Sequence, residues 1–523
     1  MTMHEKTKCG IGAIIITTIL CVAYFPARNN FLMGDDFEWL NSAYAGWYHP
    51  QEFFQLINNF FRPVVKMSYL LDYLCFGHHV FFYNLTTFGI HLANVLLLYF
   101  FLLKTSQRRR FAWVVALAFG VSSLYSEVTL WAAGRPDSLL LLCMLGILMI
   151  FADSVRPTFF HYLASLCLTL GAIGSKETWI LFPVLLTSFL LIIRRLPKKI
   201  SIKYTLIQWA SLIVYVAIFI ILPAITRHAV PSQAYAQASA EEGARKFCLL
   251  LVKYAGLSSL YSGALWQAIL VLLGLSGVAF WIVKCRNRFA LWGMIWMLLT
   301  IFISLPISYA PSRYNYLPLV GFWIMVIAIV EPISVRFCRA FTIKPMLQSV
   351  ILGAFLLTYS SFHIAMLQNE IQDYARFGEL YRAIFNAYRP VMSAISFDLP
   401  ILVMNKGTYT PIRKLAASIQ GYPKLFFVRG GALWELVTFD TLTNFAGNPF
   451  SYLLVPFPQQ DVREALEQPC LMVEFTDQGF RALHDSATAR EELQTLYDIH
   501  GRLPDNVAFY HYIPTRNMPE YQR

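Results

Sequence analysis

The chain has 523 residues, of which 57% are hydrophobic, 16% aromatic and only 14% charged. Soluble domains carry about a quarter of their residues as Asp, Glu, Lys and Arg, so this surface cannot be solvated all round and a soluble enzyme is excluded. The net charge of +12 sits with the apolar part: residues 1–364 hold 28 basic and 13 acidic side chains, whereas 365–523 hold 14 and 17. That distribution points to membrane topology rather than nucleic acid.

Crossing the hydrocarbon layer takes about 20 apolar residues in a helix. Apolar windows predict spans at 9–25, 84–103, 111–126, 138–152, 159–174, 178–193, 204–223, 266–283, 289–306, 315–332 and 346–364. The first reads as a retained anchor rather than a cleaved signal, since Tyr24, Phe25 and Pro26 stand where small residues would be needed. Segment 247–262 is apolar but carries Lys253, and reads as an interfacial or re-entrant helix. With the N-terminus in the cytoplasm, the inner segments carry Lys6 and Lys8; Lys104 and Arg108 to Arg110; Arg156; Arg194, Arg195, Lys198, Lys199 and Lys203; Lys284, Arg286 and Arg288; and Arg336, Arg339 and Lys344. Every inner loop is basic, which supports this register, because one added or lost span would invert all later loops.

An odd number of crossings puts the tail outside. Its short apolar runs, ILVMN (401–405), KLFFV (424–428), YLLVP (452–456) and CLMVEF (470–475), read as strands. The expected fold class is therefore an all-α polytopic membrane protein of about 11 transmembrane helices (1–364), with a small extracytoplasmic α/β domain (365–523). No tandem repeat is visible. The nine cysteines are scattered singly, without metal-ligand or disulfide spacing.

Ionisable residues at membrane depth are costly and suggest function. On this topology they gather on the outer side from four separate stretches. The long first outer loop contains Asp35 and Asp36, then Asn58, Asn59 and Arg62. The junction SEVTLWAAGRPDS supplies Glu127, Trp131, Arg135 and Asp137; GSKETW supplies Lys176 and Glu177; SYAPSRYNYLP supplies Arg313, Tyr314 and Tyr316. His91 and Asn94 share one helix face. Carboxylates beside several cations suit a lipid-linked phosphate. The cations neutralise the leaving phosphate while one carboxylate takes a proton from the attacking hydroxyl.

Each piece also has a purely structural reading. The paired aspartates could cap a turn, Lys176 and Glu177 could form a snorkelling pair, and Asp137 could N-cap a helix. Arg313 could stack in the interfacial aromatic belt, and His91 with Asn94 could tie helices together. Their joint placement on one side argues for the site.

The ordered set GDDFEWLN (34–41), FFRPVVKMSYLLDYLCFG (60–77), YNLTTFGIHLANVLLLY (83–99), SEVTLWAAGRPDSLL (126–140), GSKET (174–178) and SRYNYLPLVGF (312–322) resembles the membrane core of the transmembrane O-mannosyltransferases with tetratricopeptide repeats. It also resembles their bacterial relatives, within the GT-C superfamily of integral-membrane glycosyltransferases. The resemblance covers roughly residues 9–390. It implies a GT-C fold, a polyprenyl-phosphate sugar donor and inverting transfer to an extracytoplasmic glycan, lipid or protein. By position, Asp35 or Asp36 matches the catalytic acid of the first loop, with Asp35 preferred as base. Arg62, Arg135, Lys176 and Arg313 are expected on the donor phosphate, and His91, Glu127, Asp137, Glu177 and Tyr314 around them. Asn84 and Thr87 depart from the family's usual His and Asn, and the tail shows no 34-residue repeat, so the acceptor preference of the repeat proteins does not transfer. No obligatory metal is expected; a divalent ion on the acidic pair is the alternative. The expected location is a bacterial inner membrane. The rival functions are a lipid-linked saccharide flippase or transporter, and an oligosaccharide ligase or polymerase of the same fold.

Overall fold

The computed structural model describes residues 3–33, 35–48, 50–54, 60–77, 79–153, 157–218, 239–256, 262, 265–306, 311–340 and 345–392, and beyond them five strands and a few residues of 491–499. Five described helices are long and apolar enough to cross a membrane: Cys9–Arg28, Val80–Ser106, Ala132–Ala152, Trp266–Lys284 and Ser312–Arg336. A sixth results if Arg109–Gly120 and Ser123–Leu130, bent by 50° at the break between them, count as one span. Three shorter apolar helices, Phe159–Ile173, Glu177–Ile193 and Arg288–Phe302, fall on further expected spans. The protein is an integral membrane protein whose membrane part is helical. The expected span at 204–223 corresponds to the helix Lys198–Val216, with its end beyond residue 218 outside the described residues. The expected span at 346–364 lies within one 48-residue helix, Pro345–Met392.

By internal contacts the chain divides into two compact units. The first comprises Met1–Arg28, Leu56–Val65 and Asn84–Glu370; the second comprises Asn29–Gln55, Lys66–Tyr83 and Ile371–Arg523. The second unit additionally takes in parts of the first outer loop and of the segment that follows it.

Within the first unit, aromatic rings knit the helices together. Trp292 lies 5.8 Å from Phe101, 5.4 Å from Phe189 and 5.2 Å from Trp296, measured between ring centroids. The helices Arg288–Phe302 and Tyr316–Ala340 cross where Gly293 meets Gly321. A Cβ on Gly321 would stand 2.5 Å from the Gly293 carbonyl oxygen, so only glycine permits this approach. The helix Leu265–Lys284 keeps Trp266, Leu273 and Phe280 exposed along its length, as suits a surface solvated by lipid tails.

In the second unit, five strands form a mixed sheet: β1 Ile401–Asn405, β2 Tyr452–Pro456, β3 Leu471–Thr476, β4 Gly479–Leu483 and β5 Val507–Pro514. Their order is β2-β5-β1-β3-β4, with β1 parallel to β3 and the other neighbours antiparallel. Three of the apolar runs picked out in the sequence coincide with β1, β2 and β3; KLFFV at 424–428 lies outside the described residues.

Candidate active site

Glycine positions two of the charged segments of the first unit. At Gly134 a Cβ would stand 2.1 Å from the Glu127 carbonyl oxygen, so the turn that carries Glu127, Trp131 and Arg135 can fold this tightly only around glycine. At Gly174 a Cβ would meet the Val64 side chain at 2.9 Å, and the Val64 amide donates to the Gly174 carbonyl at 3.0 Å. That contact sets Arg62, two residues before Val64, beside Glu177, three residues after Gly174.

Lys176 and Glu177 are neighbours in sequence but turn to different partners. The Lys176 ammonium donates to the Asp137 carboxylate at 2.5 Å, with both side chains buried. Arg62 instead approaches both oxygens of Glu177 through one terminal nitrogen, at 3.1 and 3.0 Å, and its guanidinium lies 4.2 Å from the centre of the Phe60 ring. Burial pushes the Lys176 ammonium below the usual lysine value, against the pull of Asp137 and Glu177. Burial also disfavours the Glu177 carboxylate, but Arg62 and Lys176 outweigh it and hold this acid below its usual value.

Tyr314 is the common neighbour of three cations. Its ring centre lies 5.0 Å from the Lys176 ammonium, 5.7 Å from that of Lys246 and 5.9 Å from the Arg313 guanidinium. Arg313 also lies 5.9 Å from the Trp131 ring and 3.8 Å from the Glu127 carboxylate. The backbone amide of Arg313 donates to Glu127 at 3.1 Å, and the Glu127 amide donates to the Ser312 hydroxyl at 3.2 Å, tying the two junctions together.

Arg135 is fully buried, and its Nε donates to the Thr87 hydroxyl at 2.9 Å. His91 is also fully buried and engages on both ring nitrogens: Nδ1 with the Tyr316 hydroxyl at 2.9 Å and Nε2 with the Gly120 carbonyl at 3.1 Å. Asn94 donates to the Ser138 carbonyl at 2.8 Å and to the Tyr316 hydroxyl at 3.1 Å. These bonds make the face shared by His91 and Asn94 a knot between helices, beneath the turns that carry the charges.

Asp35 and Asp36 belong to the second unit, at the start of the helix Asp35–Tyr48. Asp36 is buried, and its carboxylate accepts the Met33 amide at 2.9 Å and the Tyr69 hydroxyl at 2.7 Å. Asp35 is exposed. The two carboxylates therefore differ in exposure. Asn58 and Asn59 lie outside the described residues. Among the described residues, no three His, Cys, Asp or Glu side chains gather as metal ligands.

Lys246 was not among the residues singled out from the sequence. The segment read as beginning at 247 is a helix from Ala240 to Tyr254, opened by a capping box between Ser239 and Glu242. That Ser-x-x-Glu pattern is the sequence signal that brings Lys246 into the helix. Its ammonium donates to the Ser304 carbonyl at 2.6 Å.

No family model matches the sequence, and no curated protein sequence matches it. The architecture is that of a polytopic membrane protein. Among solved structures, the chain is similar to ArnT from Cupriavidus metallidurans bound to undecaprenyl phosphate, with a TM-score of 0.50 and 11% identity over 97% of this chain and 99% of that one. It is also similar to the same protein in the apo state, with a TM-score of 0.51 and 10% identity over 91% and 98%. At these identities the likeness is one of fold.

Proposed function

We propose that this protein is an integral-membrane glycosyltransferase that moves a sugar from a polyprenyl-phosphate carrier to an extracytoplasmic acceptor, a glycan, lipid or protein, with inversion at the anomeric carbon. The observation that carries the proposal is the gathering of Lys176, Lys246 and Arg313 around Tyr314, with Arg62 one residue pair away through Glu177. Cations that burial has stripped of water gain most from the carrier phosphate, which arrives as a singly charged diester and becomes more negative as it leaves the sugar. The GT-C-like fold is consistent with that chemistry, and the neighbour that binds undecaprenyl phosphate makes a polyprenyl phosphate the natural carrier to test.

In this reading Asp35 is the general base. It accepts the proton of the acceptor hydroxyl as the hydroxyl oxygen bonds to the anomeric carbon. The bond from that carbon to the phosphate oxygen breaks on the opposite face, and its electron pair leaves with the polyprenyl phosphate. Arg62, Lys176 and Arg313 stabilise the charge gathering on the phosphate, with Arg135 a further candidate ligand. Asp36 fixes the start of its helix. Glu127, Asp137, Glu177 and Tyr314 hold the cations in place, and His91 buttresses the helices below. The topology proposed is eleven crossings, with the N-terminus in the cytoplasm, residues 365–523 outside as an α/β domain, and the site on the outer face of a bacterial inner membrane.

Purified protein in detergent, given a polyprenyl-phosphate sugar and envelope acceptors, tests the proposal. Transfer with inversion and release of polyprenyl phosphate supports it. A flippase would show no transfer in detergent but would move the lipid-linked sugar across a liposome membrane. Transfer of whole oligosaccharides to the acceptor would favour the ligase or polymerase reading.

A further inference from the structure

A second group of cations lines a separate cavity in the first unit. This cavity has a volume of about 390 Å³, and its walls include Arg108, Arg286, Arg288 and Arg336 together with Trp281 and Cys285. None of the cations around Tyr314 lines it. The residues come from three loops that the topology assigns to the cytoplasmic side, so this is the opposite face from the proposed active site.

The cavity is held in shape by its own contacts. The Asn287 side chain accepts the Ala290 amide at 3.2 Å, capping the helix Arg288–Phe302, and donates to the Ala328 carbonyl at 2.6 Å. That pair of bonds pins the turn 285–288 against the helix bearing Arg336. Arg286 sits in the left-handed region, with φ 51°, which turns the chain sharply between the two helices. Arg108 is already matched by Glu331 at 2.8 Å. Among the described residues, no carboxylate forms an ion pair with Arg286, Arg288 or Arg336. Arg286, Arg288 and Arg336 thus converge on one hollow, where Glu331 is engaged by Arg108.

The apolar surroundings indicate what kind of anion fits. Phe280 and Val283 on the helix Leu265–Lys284, and Ile333 on the helix Tyr316–Ala340, are exposed at 68%, 62% and 46%. Phe280 and Val283 close the helix that leads into the turn bearing Arg286, and Ile333 lies three residues before Arg336 on one helix. A free phosphate would use the cations alone, whereas a phospholipid would use both parts. We propose that this cavity holds the phosphodiester headgroup of an anionic phospholipid of the cytoplasmic leaflet, with its acyl chains along Phe280, Val283 and Ile333. Basic pockets between transmembrane helices on that side are suited to such headgroups. The inference stands apart from the transferase reading and rests on the basic loops facing the cytoplasm.

Cys285 is an exposed thiol on the wall of this cavity and serves as the reporter. A full-length variant keeping Cys285 as its only cysteine is placed in nanodiscs of phosphatidylcholine or phosphatidylglycerol and labelled with a neutral maleimide. Phosphatidylglycerol is expected to slow labelling about fivefold or more. Inorganic phosphate added to the phosphatidylcholine discs leaves the rate unchanged. Replacing Arg286, Arg288 and Arg336 together by Gln abolishes the difference between the lipids, and replacing them by Lys retains it; the Lys variant separates loss of charge from loss of fold. Equal labelling in both lipids, equal slowing in the Gln variant, or protection by inorganic phosphate alone overturns the proposal.

Discussion

The Lys176 ammonium lies 2.5 Å from the Asp137 carboxylate, with only 3% and 4% of the two side chains exposed. A buried ion pair contributes little over an apolar pair, but removing one partner strands a charge and costs about 3–5 kcal/mol. Asp137→Ala should therefore lower stability by that order. Asp137→Ala combined with Lys176→Met should recover much of it while leaving transfer abolished. Thermal unfolding in detergent, set beside transfer activity of the folded fraction, reads both effects.

Glu177 gives the acid limb. Its carboxyl titrates below the usual 4.5, so the folded state binds this proton less readily than the unfolded chain. The resulting stability is fully present above pH 4.5 and is lost as the pH falls through the lowered value. Glu177→Gln should flatten the decline of unfolding temperature below pH 4.5, relative to the unmodified protein. Lys176 acts at the other end. Because its ammonium titrates below 10.5, the unfolded chain holds more protons as the pH approaches 10.5, and this lysine's contribution to stability rises there.

Gly174→Ala tests the positioning of Arg62. The new methyl would meet the Val64 side chain at 2.9 Å, and relieving such overpacking costs about 1–3 kcal/mol. The segment that moves carries Arg62 away from Glu177. Transfer by the folded variant should fall more than the stability loss alone accounts for, which a comparison of specific activity with the unfolding temperature detects.

His91 should prove structural. His91→Phe removes one bond each from the Tyr316 hydroxyl and the Gly120 carbonyl, which keep Asn94 and Tyr24 as partners, at a cost of about 0.5–1.5 kcal/mol for each lost bond. Stability should drop while activity per folded molecule is kept. A large loss of activity at unchanged stability would instead place His91 nearer the substrate.

Much of this arrangement was legible in the sequence because the charges interrupt apolar runs, where each one is conspicuous. Glu127, Arg135, Asp137, Lys176 and Arg313 were found that way. The pairing was not legible. Lys176 and Glu177 looked like one another's partners, but adjacent side chains diverge, and each reaches a residue far away in the chain. Tyr314 was expected around the phosphate-binding cations, but its place among three of them depends on helix crossings such as that of Gly293 and Gly321. Lys246 was missed because its helix begins with charged residues, so apolar windows located only the later part. His91 and Asn94 could be paired by spacing, but Tyr316, the hydroxyl they share, is over 200 residues away.

The central claim is that Arg62, Lys176 and Arg313 hold the carrier phosphate for a reaction in which Asp35 takes the acceptor's proton. The most direct measurement is polyprenyl phosphate binding, alongside sugar transfer, by purified protein in detergent for the unmodified chain, Arg62→Gln, Arg313→Gln and Asp35→Asn. The account predicts that each arginine variant weakens binding about tenfold, as the loss of one charge-assisted contact implies. It also predicts that Asp35→Asn still binds the carrier but transfers no sugar. Undiminished binding by both arginine variants, or full transfer by folded Asp35→Asn, would contradict it.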